Sequence, residues 1–302
     1  MKIDDYRSTP GPKTRILNIF RRLFMVRFFE NILIGKTLGR DVNSFWVKLI
    51  PSNYLYEKNS RREAVRSGVK YSLDISDYLE HAVYFGYREK AQEELFRIAE
   101  NMRVIIDVGV NIGSTLLNFA RICPEAEILG FEPDADNYRK ASKNIQLNAF
   151  DNLELINKGL GSASAAVRLF KVNEGNAGMN RILPERDSSE SDIMEFTEIE
   201  IVSLDDFLAQ RPQCHVDLIK IDVEGYELQV LRGAEQTLEQ HRPTLFIELD
   251  DDNLRIQGDS AELLVSFLTR FGYRIFRADD EKEFESGDQF RHCHFDIIGK
   301  AA

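Results

Sequence analysis

Two short runs carry most of the side chains that could do chemistry. The first is Asp107-Val108-Gly109-Val110-Asn111-Ile112-Gly113, which follows the strand-like Val104-Ile105-Ile106 and precedes a helix-like run from Ser114 to Arg121. A strand that feeds a helix through glycines lets backbone N–H groups and the helix N-terminus approach a ligand closely. Further on, the strand-like Glu127-Ile128-Leu129-Gly130-Phe131 ends at Glu132. A carboxylate so placed can accept both hydroxyls of a ribose. Together these residues point to a nucleoside-containing cofactor. Each also has a plainer reading: any tight strand–helix turn prefers glycine, and Glu132-Pro133-Asp134 would start a helix well.

The second run is Asp222-Val223-Glu224-Gly225, which closes a strand-like stretch from Val216 to Ile221. In the expected strand order it lies beside the Asp107 strand, so Asp222 and Glu224 would flank the bound cofactor. Carboxylates crowded at a strand end have raised pKa values, which suits a general base. They could equally hold a divalent cation or cap a helix. Ser203-Leu204-Asp205-Asp206 reads as a capping box. His292 and His294 would share one face of a strand with no third ligand near in sequence, so no metal site is assigned to them. His241 reads as a loop histidine rather than a base.

The elements that must position these runs alternate. Strand patterns fall at 103–108, 126–131, 152–157, 216–222, 243–249, 273–277 and 292–299, with helical patterns near 113–122, 134–148, 226–240 and 259–271. Such alternation predicts an α/β, doubly wound, mostly parallel seven-stranded sheet. The last two strands are joined without a helix and must pair antiparallel. Residues 165–171 and 197–202 also alternate as strands. The polar stretch between them is expected to form a lid over the substrate, with Asn180 and Arg181 orienting a polar acceptor.

Charge is unevenly distributed. Residues 1–50 hold ten Lys/Arg against four Asp/Glu, and the remainder holds 29 against 46. The acidic majority argues against nucleic acid as a partner. No apolar run is long enough to span a bilayer, no signal peptide is visible, and three separated cysteines suit a reducing cytoplasm. The basic, Phe-rich segment 14–35 has a helical pattern. The basic residues across 14–48 could make peripheral membrane contact. The pattern favours a helix that packs on its own catalytic domain or, in a homo-oligomer, on a second subunit. Residues 1–100 are read as a mainly helical extension and lead-in, and 101–302 as the catalytic domain.

Five segments, IIDVGVNIGS (105–114), GFEPD (130–134), SLDDF (203–207), LIKIDVEGYELQVLRGAE (218–235) and HRPTLFIEL (241–249), resemble the FkbM-type family of S-adenosyl-L-methionine (SAM)-dependent methyltransferases. That family has the Rossmann-like, seven-stranded class I methyltransferase fold. Val110 departs from its usual Ala, and Ser203 from its frequent Thr. The resemblance implies that Asp107, Gly109, Asn111 and Gly113 line the methionine and ribose of SAM. It implies that Glu132 binds the ribose hydroxyls, and that the adenine rests near residues 157–162. Glu89, within YFGYREK (84–90), would contact the amino-acid end. Asp222 and Glu224 would face the reacting centre, one of them removing the proton of a hydroxyl on a sugar, glycan or other small-molecule acceptor. Two other readings compete. A nicotinamide-dinucleotide oxidoreductase is disfavoured by the glycine spacing, and a non-catalytic interaction protein by the intact motifs.

Overall fold

The computed structural model describes residues 11–87, 89–171, 180–183, 195–285 and 287–302. The described residues divide into two units, one running to Lys90 and the other from Ala91 onward. The first holds helices α1 (Pro12–Arg21) and α2 (Arg27–Thr37), the hairpin β1 (Arg61–Arg66) and β2 (Val69–Asp74), and helix α3 (Tyr78–Phe85). The helix expected over 14–35 is broken, because Val26 adopts an extended backbone (φ −72°, ψ 126°). Helix α3 starts on the Asp77 carboxylate cap and stops at a left-handed Gly86. No described helix is long and apolar enough to cross a membrane.

The second unit opens with α4 (Lys90–Ala99) and alternates thereafter. In chain order come β3 (Val104–Val108), α5 (Ser114–Ile122), β4 (Glu127–Phe131), α6 (Ala135–Gln146) and β5 (Leu153–Ile156). Short strands β6 (Gly159–Leu160), β7 (Ala165–Phe170), β8 (Arg181–Ile182) and β9 (Phe196–Val202) follow, then α7 (Leu204–Ala209) and β10 (Leu218–Ile221). The pattern over 226–240 resolves into two helices, α8 (Glu227–Arg232) and α9 (Glu235–Gln240). The chain ends with β11 (Thr244–Asp250), α10 (Asp251–Ile256), α11 (Ala261–Arg270), β12 (Tyr273–Arg277) and β13 (His294–Ala301).

Seven strands form one sheet in the order β12-β13-β11-β10-β3-β4-β5. The pairs from β11 to β5 are parallel, and β13 runs antiparallel to both its neighbours. The expected fold class is therefore the one observed. The last two strands pair antiparallel as expected, and the final strand inserts between β11 and β12. Ile106, Val108, Ile219, Ile221, Ile247 and Leu249 belong to one apolar cluster, and their alternates Ile105, Leu218 and Phe246 to another. A sheet covered on both faces needs such near-continuous apolar strands.

The strands expected at 165–171 and 197–202 form as β7 and β9. Strands β6, β9, β7 and β8 form a separate four-stranded sheet in that order. Within it Leu169 and Phe170 pair with Ile182 and Arg181. Arg181 is thus a buried strand residue rather than part of a lid. The polar stretch expected to act as a lid lies mostly outside the described residues.

Where β3 ends, Gly109 has φ +84°, and a Cβ built there would lie 1.9 Å from the Asp222 carbonyl oxygen. Both the dihedral and the close approach exclude a side chain. Gly109→Ala should lower unfolding stability by roughly 2–4 kcal/mol in urea titrations, since the neighbouring atom is backbone and cannot rotate away. A change within experimental error would show that the two strand ends do not meet this closely.

Candidate active site

The glycine turn is pinned to the end of β4. Gly109 and Val110 donate their N–H groups to the Phe131 carbonyl at 3.0 and 3.2 Å. Asn111, itself left-handed at φ +53°, donates its N–H to Glu132 Oε2 at 2.7 Å, and Asp134 donates to Oε1 at 2.9 Å. Asn157, after β5, donates from Nδ2 to the Glu132 carbonyl at 2.8 Å. Glu132 is thereby fixed from three chain segments. Burial outweighs these N–H contacts and pushes its carboxyl up to about 7. Gly113 supplies the left-handed residue before α5.

Beside this turn stands a residue to which the sequence patterns assigned no role. Lys220 pairs with Asp107 in the register of β10 and β3, and paired residues share a face. Its Nζ lies 3.4 Å from Asp107 Oδ1, 3.2 Å from Asp222 Oδ2 and 3.2 Å from the Gly109 carbonyl oxygen. Burial alone would lower the Lys220 pKa, but Asp222 and Asp107 outweigh it and hold the ammonium above its ordinary range. Asp107 is fully buried, and its oxygens accept no hydrogen bond of ordinary geometry among the described residues. Burial pushes Asp107 up to about 6, against the pull of Lys220. The available signal was a single Lys inside the apolar stretch Leu218-Ile219-Lys220-Ile221. A strand buried on both faces tolerates a charge only if it is paired.

Asp222 and Glu224 come together with a third carboxylate, Glu248 of β11. One oxygen from each lies within 4.8 Å of the others. That spacing allows three carboxylates to share a proton or to ligate one divalent cation. Glu224 has φ +54°, an uncommon conformation for a residue with a side chain, and Gly225 follows at φ +99°. This turn is clamped by Glu227, whose Oε1 accepts N–H groups from Val223 at 3.2 Å and Gly225 at 3.0 Å. Burial, and then the charge of Asp222, push Glu224 up to about 8, and the same causes raise Glu248 well above the carboxylate range. Glu227 is pushed up to about 7 by burial.

The remaining candidates divide. Arg181 donates from Nη1 to Asn253 Oδ1 at 3.1 Å, and Asn253 donates from Nδ2 to Glu224 Oε2 at 3.0 Å. Arg181 therefore belongs to the carboxylate cluster. Asn180 points elsewhere, with Nδ2 3.4 Å from Asp134 Oδ2 on the Glu132 side. Glu89 is an exposed residue of the first unit, ahead of α4. Ser203 caps α7 by accepting the Asp206 N–H at 3.1 Å, as its pattern indicated. His241 accepts the Val216 N–H at Nδ1 and stays in a loop. His292 and His294 do not act as a pair: Nδ1 of each meets its own aspartate, Asp252 at 2.7 Å and Asp250 at 2.8 Å.

A seven-stranded sheet with its next-to-edge strand reversed, and a glycine turn and acidic strand end on neighbouring strands, define a class I methyltransferase fold. The chain belongs to the FkbM methyltransferase family, whose domain model (Methyltransferase FkbM domain) matches residues 107–275. It is 29% identical over 221 residues to the methyltransferase sdnD of Sordaria araneosa, covering 59% of this chain and 84% of that protein. It is 28% identical over 161 residues to the 2-O-methyltransferase NoeI of Sinorhizobium fredii, covering 50% of this chain and 65% of that one. Identity to the hexuronic acid methyltransferase AglP of Haloferax volcanii is 26% over 155 residues, covering 50% and 59% respectively. The chain thus spans less than two thirds of the length of NoeI and AglP.

The buried carboxyls make stability depend on pH. Asp107, Glu132, Glu227 and Glu224 have folded-state values of about 6 to 8. A carboxyl raised on folding contributes stability that is present below its unfolded value and is lost as pH rises through the folded value. The melting temperature of the ligand-free protein should therefore fall between about pH 5 and pH 8.5. Glu227→Gln, which keeps an acceptor oxygen but cannot ionise, should flatten part of that slope. A melting temperature that rises over the same interval would contradict these assignments.

Proposed function

We propose that the protein is an SAM-dependent O-methyltransferase acting on a hydroxyl of a sugar, glycan or secondary metabolite. One observation carries this reading: Lys220 locks the glycine turn and the carboxylate cluster together across adjacent strands, with 3.4 Å to Asp107 and 3.2 Å to Asp222. A cofactor held at the turn would present its reacting end to the carboxylates. The residues fit the cofactor. Glu132 is oriented by N–H donors while each of its oxygens keeps a lone pair for a ribose hydroxyl. The bound cofactor supplies an electrophilic sulfonium methyl. The names of NoeI and AglP, an O-methyltransferase and a hexuronic acid methyltransferase, support a hydroxyl on a sugar.

The protein's own task is to align the acceptor oxygen and take its proton. Of the two carboxylates that the motif offers, Asp222 is committed to Lys220, whereas Glu224 is held by the neutral Asn253 and crowded by Glu248. Environments that separate the behaviour of neighbouring carboxyls assign their roles. Glu224, sharing the proton with Glu248, is the base, and Asp222 fixes the geometry around it. Arg181 keeps a buried Nε–H without a partner among the described residues, available to an acceptor oxygen.

Glu224→Gln should lower kcat by about 10²–10⁴-fold while S-adenosylhomocysteine affinity, read by calorimetry, changes little. Asp222→Asn should also abolish turnover with cofactor binding retained. In the wild type, kcat/KM should rise with pH toward about 8, following the ionisation of Glu224. Wild-type turnover in Glu224→Gln would remove it as the base. A chelator should leave activity intact, and loss that Mg²⁺ restores would instead give the cluster to a divalent cation.

A further inference from the structure

The first two helices bury polar side chains and leave large apolar ones exposed. In α1 the inward residues are Asn18, which donates from Nδ2 to Tyr54 Oη at 2.9 Å, and Arg21, whose Nε and Nη2 donate to the Lys48 carbonyl at 3.1 and 2.6 Å. The apolar stripe Ile16, Ile19, Phe20 and Leu23, spaced as one helical face, is 53–70% exposed. In α2 the buried residues are Glu30, Leu33 and Thr37, while Phe28 and Ile32 are 67% and 46% exposed. Exposed large apolar side chains gathered on a helix face in this way mark an interaction site.

Charge identifies what covers it. Lys13, Arg22, Arg27 and Lys36 are exposed among these apolar residues. The acidic side chains of residues 11–50 are Glu30 and Asp41. Glu30 is fully buried and engaged by Arg62 at 3.1 Å, by the Tyr84 hydroxyl at 2.6 Å and by Arg27 at 3.4 Å, so it offsets Arg27 but not Lys13, Arg22 or Lys36.

We propose that α1 and α2 form a docking surface for an anionic lipid bilayer. Phe20, Phe28 and the aliphatic side chains enter the acyl boundary, and the Lys and Arg stems extend so that their charges reach lipid phosphates. A second copy of the chain would press two cationic surfaces together, which disfavours self-association here. The remainder of the chain, 46 Asp/Glu against 29 Lys/Arg beyond residue 50, offers an anionic surface no comparable attraction.

The test is sedimentation of the full chain with vesicles of equal parts phosphatidylglycerol and phosphatidylcholine, against phosphatidylcholine alone. The protein should partition to the anionic vesicles and be released by salt. Phe20→Ser with Phe28→Ser, and separately Lys13→Glu with Arg22→Glu, should each weaken partitioning by about ten-fold or more. Because all four side chains are exposed, melting temperatures should stay at the wild-type value. Three results would overturn the proposal: no preference for anionic vesicles, wild-type binding by both double variants, or a wild-type dimer that ignores vesicles and that the Phe substitutions convert to monomer. The last would assign the face to a second copy.

Discussion

The second unit is organised around one buried ammonium. Lys220 lies in a strand whose other residues are apolar, and its charge is balanced by Asp107 from the neighbouring strand and Asp222 at its own strand's end. A charge taken out of water is tolerated only in such company. The pairing therefore fixes the β3 and β10 ends in one frame. The glycine turn that follows β3 and the acidic turn that follows β10 inherit their mutual position from it. Gly109 shows how tight that frame is, since the Asp222 carbonyl occupies the space a side chain would need.

Around this frame, one residue type performs three tasks because its surroundings differ. Glu132 is aimed by N–H groups from the turn and from the start of α6, which suits fixed recognition of hydroxyls. Glu227 uses one oxygen to clamp the turn between Val223 and Gly225. Glu224, in a left-handed conformation, is directed toward Asp222 and Glu248 and has its ionisation displaced upward. Backbone strain of this kind persists where surrounding structure over-determines it, and such positions cluster at functional sites. The clamp by Glu227 is the over-determination here.

The first unit obeys a different logic. Its buried acid, Glu30, is satisfied by Arg62 and Tyr84, and its buried His81 is held at Nε2 by the Pro51 carbonyl at 2.8 Å. On α1 and α2 polar Asn18, Glu30 and Thr37 are buried beside Leu33, while Ile16, Ile19, Phe20, Phe28 and Ile32 are exposed. Exposed cations and exposed phenylalanines thus occur on the same two helices, where the sequence had placed its basic excess.

Local order was legible in the sequence because it is encoded locally. Apolar runs between glycines located the parallel strands, Ser203 announced its helix cap, and the glycines of the Asp107–Gly113 run announced a tight strand–helix turn, since each depends on residues a few positions apart. Non-local pairing was not legible. Glu248 joins Asp222 and Glu224 only because β11 lies beside β10, and Asn253 reaches Glu224 from the helix after β11. The insertion of β13 between β11 and β12, and the capture of Arg181 in a strand, likewise follow from contacts between distant segments. What the sequence by itself determined was the fold class and one half of each chemical group. The tertiary structure decided which carboxylates crowd, which is paired with a cation and which helix face meets solvent. Burial and charge proximity are properties of the folded arrangement, not of any short run of residues.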